Sequence, residues 1–142
     1  MARYKTVLLD ADGTLLDFEA TERQALRRSM ETRGIPFDDG IMQAYLDINV
    51  PLWAAHYRGE ISRETLMVKR FEDFGKAMGV TADPEDWNRE YLRLLGDCGN
   101  VLPGAVELLA ALKPQCTLVL ATNGLADIQR RRLRDNPIAP YL

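Results

Sequence analysis

Apolar positions are arranged along this chain in two different ways. Two runs are continuous and partly β-branched, Tyr4-Lys5-Thr6-Val7-Leu8-Leu9 and Thr117-Leu118-Val119-Leu120-Ala121. Each runs straight into a cluster of turn-forming residues: Asp10-Ala11-Asp12-Gly13-Thr14 after the first and Thr122-Asn123-Gly124 after the second. Runs of that length with those endings predict buried strands of a parallel sheet. Between them the apolar residues recur at helical spacing. Thr21 and Gln24 have capping-box spacing ahead of Leu26 and Met30, and Gly34 with Pro36 supplies a stop. A second helix is expected from Asp38 or Asp39 through Ile41, Tyr45 and Ile48, with Pro51 kinking or breaking it and Gly59 closing it. Ser62 is expected to cap a third, whose Met67, Phe71, Phe74 and Met78 form one stripe ending at Gly79. Asp83-Pro84-Glu85-Asp86 opens a fourth through Trp87, Tyr91, Leu94 and Leu95. Leu102-Pro103-Gly104 introduces a short helix with Leu108, Leu109 and Leu112, stopped near Pro114, and Asp127 to Arg134 reads as the last.

The order is therefore strand, helical insertion, helix, strand, helix, which is an α/β architecture. A parallel pair joined by a right-handed crossover is the expected topology. The size, 142 residues with 46% apolar and 27% charged, is that of one ordinary domain and excludes disorder as the default. The net charge of -3 excludes a global positive field that would hold nucleic acid or an anionic membrane. Arg130, Arg131, Arg132 and Arg134 make a local basic run, but with Asp127 and Asp135 beside them it reads as a solvated helix face. Cys98 and Cys116 form neither a disulfide framework nor a metal-ligand spacing, so both are expected as reduced thiols. The apolar run Val7 to Leu9 stops at Asp10, too short for a signal peptide's apolar core, so none is expected, and no stretch approaches the ~20 apolar residues of a membrane span. A soluble cytoplasmic protein is expected. The single histidine, His56, cannot build a histidine metal site, and Trp53, Trp87 and Tyr91 are expected to pack helices together.

The chemistry gathers at the two strand ends. Asp10 and Asp12 are two positions apart, so a persisting pleat would send both carboxylates to one side, beyond the carboxyl edge of the sheet where α/β folds bind ligands. Two carboxylates about 4 Å apart repel by ~4 kcal/mol at an effective dielectric near 20, so the pair asks for a cation or a division of roles. Gly13 permits a sharp turn, and Thr122-Asn123-Gly124 offers a hydroxyl, an amide and a glycine at the positive end of a helix. Either cluster alone is common loop punctuation. Together, after the two buried strands, they mark one sheet edge as a site.

Asp10-Ala11-Asp12-Gly13-Thr14-Leu15-Leu16-Asp17 resembles the first motif of the haloacid dehalogenase-like (HAD) superfamily, and Leu120-Ala121-Thr122-Asn123-Gly124 resembles its second. Asn49-Val50-Pro51-Leu52-Trp53 and Leu102-Pro103-Gly104-Ala105 are similar to the YjjG-type pyrimidine 5'-nucleotidase branch. The resemblance implies a partial HAD-like Rossmannoid core with parallel strands over residues 1–16 and 99–142, and an inserted α-helical C1-type cap over residues 17–98. It implies a phosphomonoester hydrolase acting on nucleoside 5'-monophosphates. Asp10 would be the nucleophile that becomes an aspartyl phosphate, and Asp12 the acid that protonates the leaving oxygen and then activates water. Mg²⁺ would sit on the Asp10 carboxylate and the Asp12 backbone carbonyl, while Thr122, Asn123 and Gly124 bind phosphoryl oxygens. An acid at position 12 is similar to phosphatases and phosphomutases, not to dehalogenases.

The superfamily's third motif, a lysine, and its fourth, an acidic pair, would both follow the second. Neither is found before Leu142, and neither Lys69 nor Lys113 matches the lysine. The chain thus resembles the amino-terminal part of such an enzyme, with low activity expected of it alone. The competing expectation is a non-catalytic remnant that dimerises through its helical cap or its exposed strand edge. A nucleic-acid or phosphate-binding role for the Arg130 to Arg134 run is a third.

Overall fold

Both continuous apolar runs are strands. The structure, a computed structural model, describes residues 3–142. Its elements are β1 (Thr6–Leu9), α1 (Phe18–Thr32), α2 (Asp39–Tyr57), α3 (Arg63–Met78), α4 (Pro84–Gly96), α5 (Ala105–Leu112), β2 (Thr117–Leu120) and α6 (Ala126–Leu133), with a closing 3-10 turn at Ala139–Tyr141. The α/β class is as expected. β1 and β2 pair in parallel, with Thr6 opposite Thr117 and Leu9 opposite Leu120.

The chain divides into two compact units, one of Met1–Ala25 with Leu95–Leu142 and the other of Leu26–Leu94. In the first, the two-residue period of the strands sends Val7, Leu9, Leu118 and Leu120 to one face. That face packs with Ala11, Leu15, Leu16, Ala105, Leu109 and Ile138 into one apolar cluster. The opposite face carries Leu8 and Val119, register partners that are 69% and 40% exposed.

In the second unit the core is aromatic. Phe71 stacks on Trp87 at 5.1 Å between centroids, Tyr45 meets Phe74 edge-on at 5.5 Å, and Tyr91 lies against Tyr45 and Phe71. The buried Trp87 places its indole N–H on the Ser29 hydroxyl at 2.7 Å, so its one polar atom is satisfied. Arg33 lies over the same indole at 4.5 Å and holds Glu90 with two nitrogens, at 2.8 and 3.2 Å. Burial pushes the Glu90 carboxyl up, but hydrogen bonds from Arg33 and Ser29 and the charges of Arg33 and Arg93 outweigh it, leaving that carboxyl below its ordinary range.

Several local expectations are corrected. Thr21 does not cap α1: the helix begins three residues earlier, and Asp17 caps it by accepting the Ala20 N–H at 3.0 Å. Thr21 is instead buried inside the helix. Pro51 does not end α2, which continues to Tyr57 with the proline ring on its exposed side. The buried stripe of α3 is Leu66, Arg70, Phe71, Phe74 and Gly75, with Met67 and Met78 only half-buried. Arg70 is tolerated there because Asn88 accepts from it at 2.7 Å and its guanidinium lies over the rings of Phe71 and Tyr91. Asp38, Ser62 and Asp83 all cap as the sequence predicts, each accepting a backbone N–H three residues on. Trp87 and Tyr91 pack helices together, while Trp53 and His56 are half-buried and lie edge-on to each other. Cys98 and Cys116 form no disulfide among the described residues, and no helix among them is long and apolar enough to cross a membrane.

Candidate active site

β1 ends at Leu9, and the chain turns hard immediately beyond it. The Ala11 carbonyl accepts from the N–H groups of Thr14, Leu15 and Leu16, at 3.3, 2.9 and 2.9 Å. Gly13, at φ 81°, makes the reversal without the cost a side chain would bring, and its own N–H returns to the Leu16 carbonyl at 2.9 Å. The segment returning from α4 then runs beside this turn, with Asp17 N–H on the Asn100 carbonyl at 2.8 Å and Leu102 N–H on the Leu15 carbonyl at 2.9 Å. The second loop leaves β2 at the same level, because Leu9 pairs with Leu120 and the Ala121 N–H donates to the Leu9 carbonyl at 2.8 Å. Both turn clusters therefore start from one end of one ladder.

Asp10 is exposed at the first position past β1, with no hydrogen bond or ion pair to the described residues. Asp12 is engaged on both oxygens. Arg132 Nη1 donates to Oδ1 at 2.6 Å, and Gln129 Nε2 donates to Oδ2 at 3.2 Å. The same Gln129 amide donates to Thr122 Oγ1 at 2.9 Å, so one side chain of α6 spans the first and second motifs. Arg132 Nη1 also donates to Gln129 Oε1 at 2.9 Å, and Arg132 Nε to the Cys98 carbonyl at 3.1 Å. Gly124 N–H donates to Thr122 Oγ1 at 3.1 Å. A Cβ at position 124 would lie 2.6 Å from Gln129 Nε2, which explains the glycine by close approach. Asn123 and Gly124 are exposed.

Arg132 was the residue most misjudged by its neighbours in sequence. Arg130 and Arg134 are exposed, as a solvated face requires, and Arg131 pairs with Asp97. The Arg132 side chain is only 2% exposed and belongs to the site. Gln129, also buried, carried no expectation at all. A signal for both exists in spacing: Gln129 and Arg132 are three positions apart on α6, so they share one helix face, and that face is the buried one. Asn136 extends the grip by donating to the Gly99 carbonyl at 2.9 Å. Among the described residues no three histidine, cysteine, aspartate or glutamate side chains converge as a metal centre. The oxygens left open are the Asp10 carboxylate and the Asp12 carbonyl, which accepts no hydrogen bond from the described residues.

With that geometry in place, comparison with known proteins is informative. A family model described as haloacid dehalogenase-like hydrolase matches residues 4–141. HAD-hydrolase YfnB of Bacillus subtilis is 36% identical over 99% of this chain and 60% of its own length. Pyrimidine 5'-nucleotidase PynA of Streptococcus pneumoniae is 33% identical over 97% of this chain and 59% of its own. A crystal structure of YfnB bound to magnesium superposes with a TM-score of 0.92 at 35% identity, over 99% of this chain and 62% of that one. The L-2-haloacid dehalogenase of Xanthobacter autotrophicus shares the fold, with a TM-score of 0.63 at 19% identity over 97% of this chain and 54% of that one. The chain thus spans about 60% of the length of the relatives it matches.

Proposed function

This chain belongs to the haloacid dehalogenase-like hydrolases, and from that premise we propose that it carries the nucleophile, acid and phosphate loop of a Mg²⁺-dependent phosphomonoester hydrolase acting on nucleoside 5'-monophosphates. The observation that carries the reading is the single amide of Gln129 joining Asp12 to Thr122, which ties an acid–base carboxylate to a phosphate-binding hydroxyl. The acid at position 12 favours phosphoryl over halide chemistry. The nucleotidase among the relatives favours a nucleotide as substrate.

In the proposed reaction an Asp10 carboxylate oxygen attacks phosphorus in line, and the bond from phosphorus to the leaving oxygen breaks. Asp12 delivers its proton to that oxygen. Water then attacks the aspartyl phosphate, Asp12 takes the proton, and Asp10 is released as carboxylate with inorganic phosphate. The Thr122 hydroxyl and the backbone of Asn123 and Gly124 bind the phosphoryl oxygens. The Asp10 carboxylate and Asp12 carbonyl are hard oxygen donors of the kind Mg²⁺ takes alongside substrate phosphate and water, so they suit it. When bound, the cation would offset phosphate charge. The helical insertion over residues 17–98 would be the cap that chooses the leaving group. The lysine and acidic pair that the superfamily places after the second motif are not among these 142 residues, so little turnover is expected from them alone.

Hydrolysis of an aryl phosphate with and without Mg²⁺, beside Asp10→Asn, tests the proposal. Activity should need the metal and vanish in the variant, first in a chain extended to the length of its relatives and only weakly in the 142 residues. Turnover that persists in Asp10→Asn would end this reading. One observation favours a second reading, an interaction module: the exposed partners Leu8 and Val119 offer an apolar face on a two-stranded sheet. Size that rises with concentration, together with no Mg²⁺-dependent turnover in the extended chain, would favour it.

A further inference from the structure

The donors and acceptors around Gln129 can be counted without ambiguity. Arg132 has only donors, so the atom it meets on Gln129 must be the carbonyl oxygen. That fixes which way the amide faces and turns Nε2 toward the loops. Its two hydrogens are then both used, one on Asp12 Oδ2 and one on Thr122 Oγ1. The hydroxyl oxygen of Thr122 has two lone pairs, and it already receives Gln129 and the Gly124 N–H. With both filled, its proton can only be given outward. Asp12, by the same count, receives one donor on each oxygen.

We infer that Arg132 and Gln129 are positioning residues that set the polarity of the site: they make the Thr122 hydroxyl an outward hydrogen-bond donor, aimed at an oxyanion such as a phosphoryl oxygen. A hydroxyl free to rotate spends part of its time presenting lone pairs, which repel an anion; this one is held in the useful sense before the ligand arrives. The arrangement is buried where orientation matters most. Gln129 and Arg132 are 6% and 4% exposed, so water does not offer the amide an alternative partner. The inference rests on the phosphohydrolase reading for its ligand, although the hydrogen-bond count stands without it.

The test separates the two. Inorganic phosphate is titrated with MgCl₂ into the chain extended to the length of its relatives, comparing Thr122→Val, Gln129→Met, Gln129→Glu and the double variant Thr122→Val with Gln129→Met. Thr122→Val and Gln129→Met should each weaken phosphate about tenfold, and the double variant should be no weaker than either single one, because Gln129 acts through Thr122. Gln129→Glu keeps the size but accepts the hydroxyl proton, so it should weaken phosphate more than Gln129→Met does. Arg132→Lys, which keeps the charge, should bind better than Arg132→Met. A merely structural role would give losses that multiply, or binding that follows stability alone; either result, or unaltered phosphate affinity in Gln129→Met, overturns the inference. If the unaltered extended chain does not bind phosphate, the phosphohydrolase reading is what fails. The Gln129/Thr122 cycle measured by urea unfolding then decides the inference: non-additivity of threefold or more in the unfolding constant supports the hydrogen-bond network, and additive effects overturn it.

Discussion

Arg132 meets Asp12 at 2.6 Å across 120 positions of sequence, and the two ends of the pair differ sharply in exposure, 2% for the arginine side chain and 31% for the aspartate. The arginine therefore has more to lose than its partner. Its charge is anchored by Asp12, its Nε by the Cys98 carbonyl, and its remaining nitrogen, Nη2, finds no hydrogen-bond partner among the described residues.

Arg132→Met should destabilise the chain by about 3 kcal/mol, the usual result of breaking a buried ion pair from one side. Urea unfolding followed by circular dichroism reads this directly. A loss below 1 kcal/mol would mean that the pair is not an anchor of the first unit.

Gly99 sits against α6 so closely that a Cβ there would lie 2.4 Å from the Arg132 carbonyl oxygen and 2.7 Å from Asn136 Nδ2. Neither neighbour is free to move, since Asn136 also donates to the Gly99 carbonyl. Gly99→Ala should cost about 2 kcal/mol as overpacking. An unchanged thermal midpoint would contradict this contact.

Pro51 lies within α2, on its exposed side, and deprives the Asp47 carbonyl of its helical donor. Pro51→Ala restores that N–H and improves helix propensity, so the variant should be more stable, by about 1 to 3 kcal/mol. Differential scanning calorimetry gives the sign; a lower midpoint would show the proline ring to be a packing element.

Glu90 has a folded-state pKa below its unfolded value. A carboxyl shifted in that direction contributes stability above its unfolded pKa and surrenders it as pH falls through the folded one. Stability measured in urea at pH 7 and at pH 3.5 should therefore fall on acidification, and Glu90→Gln should reduce that fall. Equal acid sensitivity in both proteins would remove the Arg33–Glu90 pair from the explanation.

The strands, the capping residues Asp38, Ser62 and Asp83, and the two turn clusters were legible because each depends on neighbours in sequence: an apolar run, an oxygen three positions from a free N–H, a glycine after an acid. What was hidden depends on pairing at a distance. Arg132 stands among three other arginines and reads like them; only its place one turn from Gln129, on the buried face of α6, sets it apart. Arg70 was passed over for the same reason, since nothing local shows that Asn88 and two aromatic rings will receive it. Asp17 belongs to the first motif's sequence pattern, which masks its separate task of capping α1, while Thr21 three residues before Gln24 imitates a cap. Of the residues the sequence singles out, the structure brings Asp12 and Thr122 together, through a Gln129 side chain that no local pattern marks.

The ladder that ends at Leu9 and Leu120 also fixes how the two loops respond to thermal motion. Rooted on adjacent rungs of the same short ribbon, they ride it like two fittings bolted to one plate. Bending or rocking of the ribbon carries the roots of both loops along together.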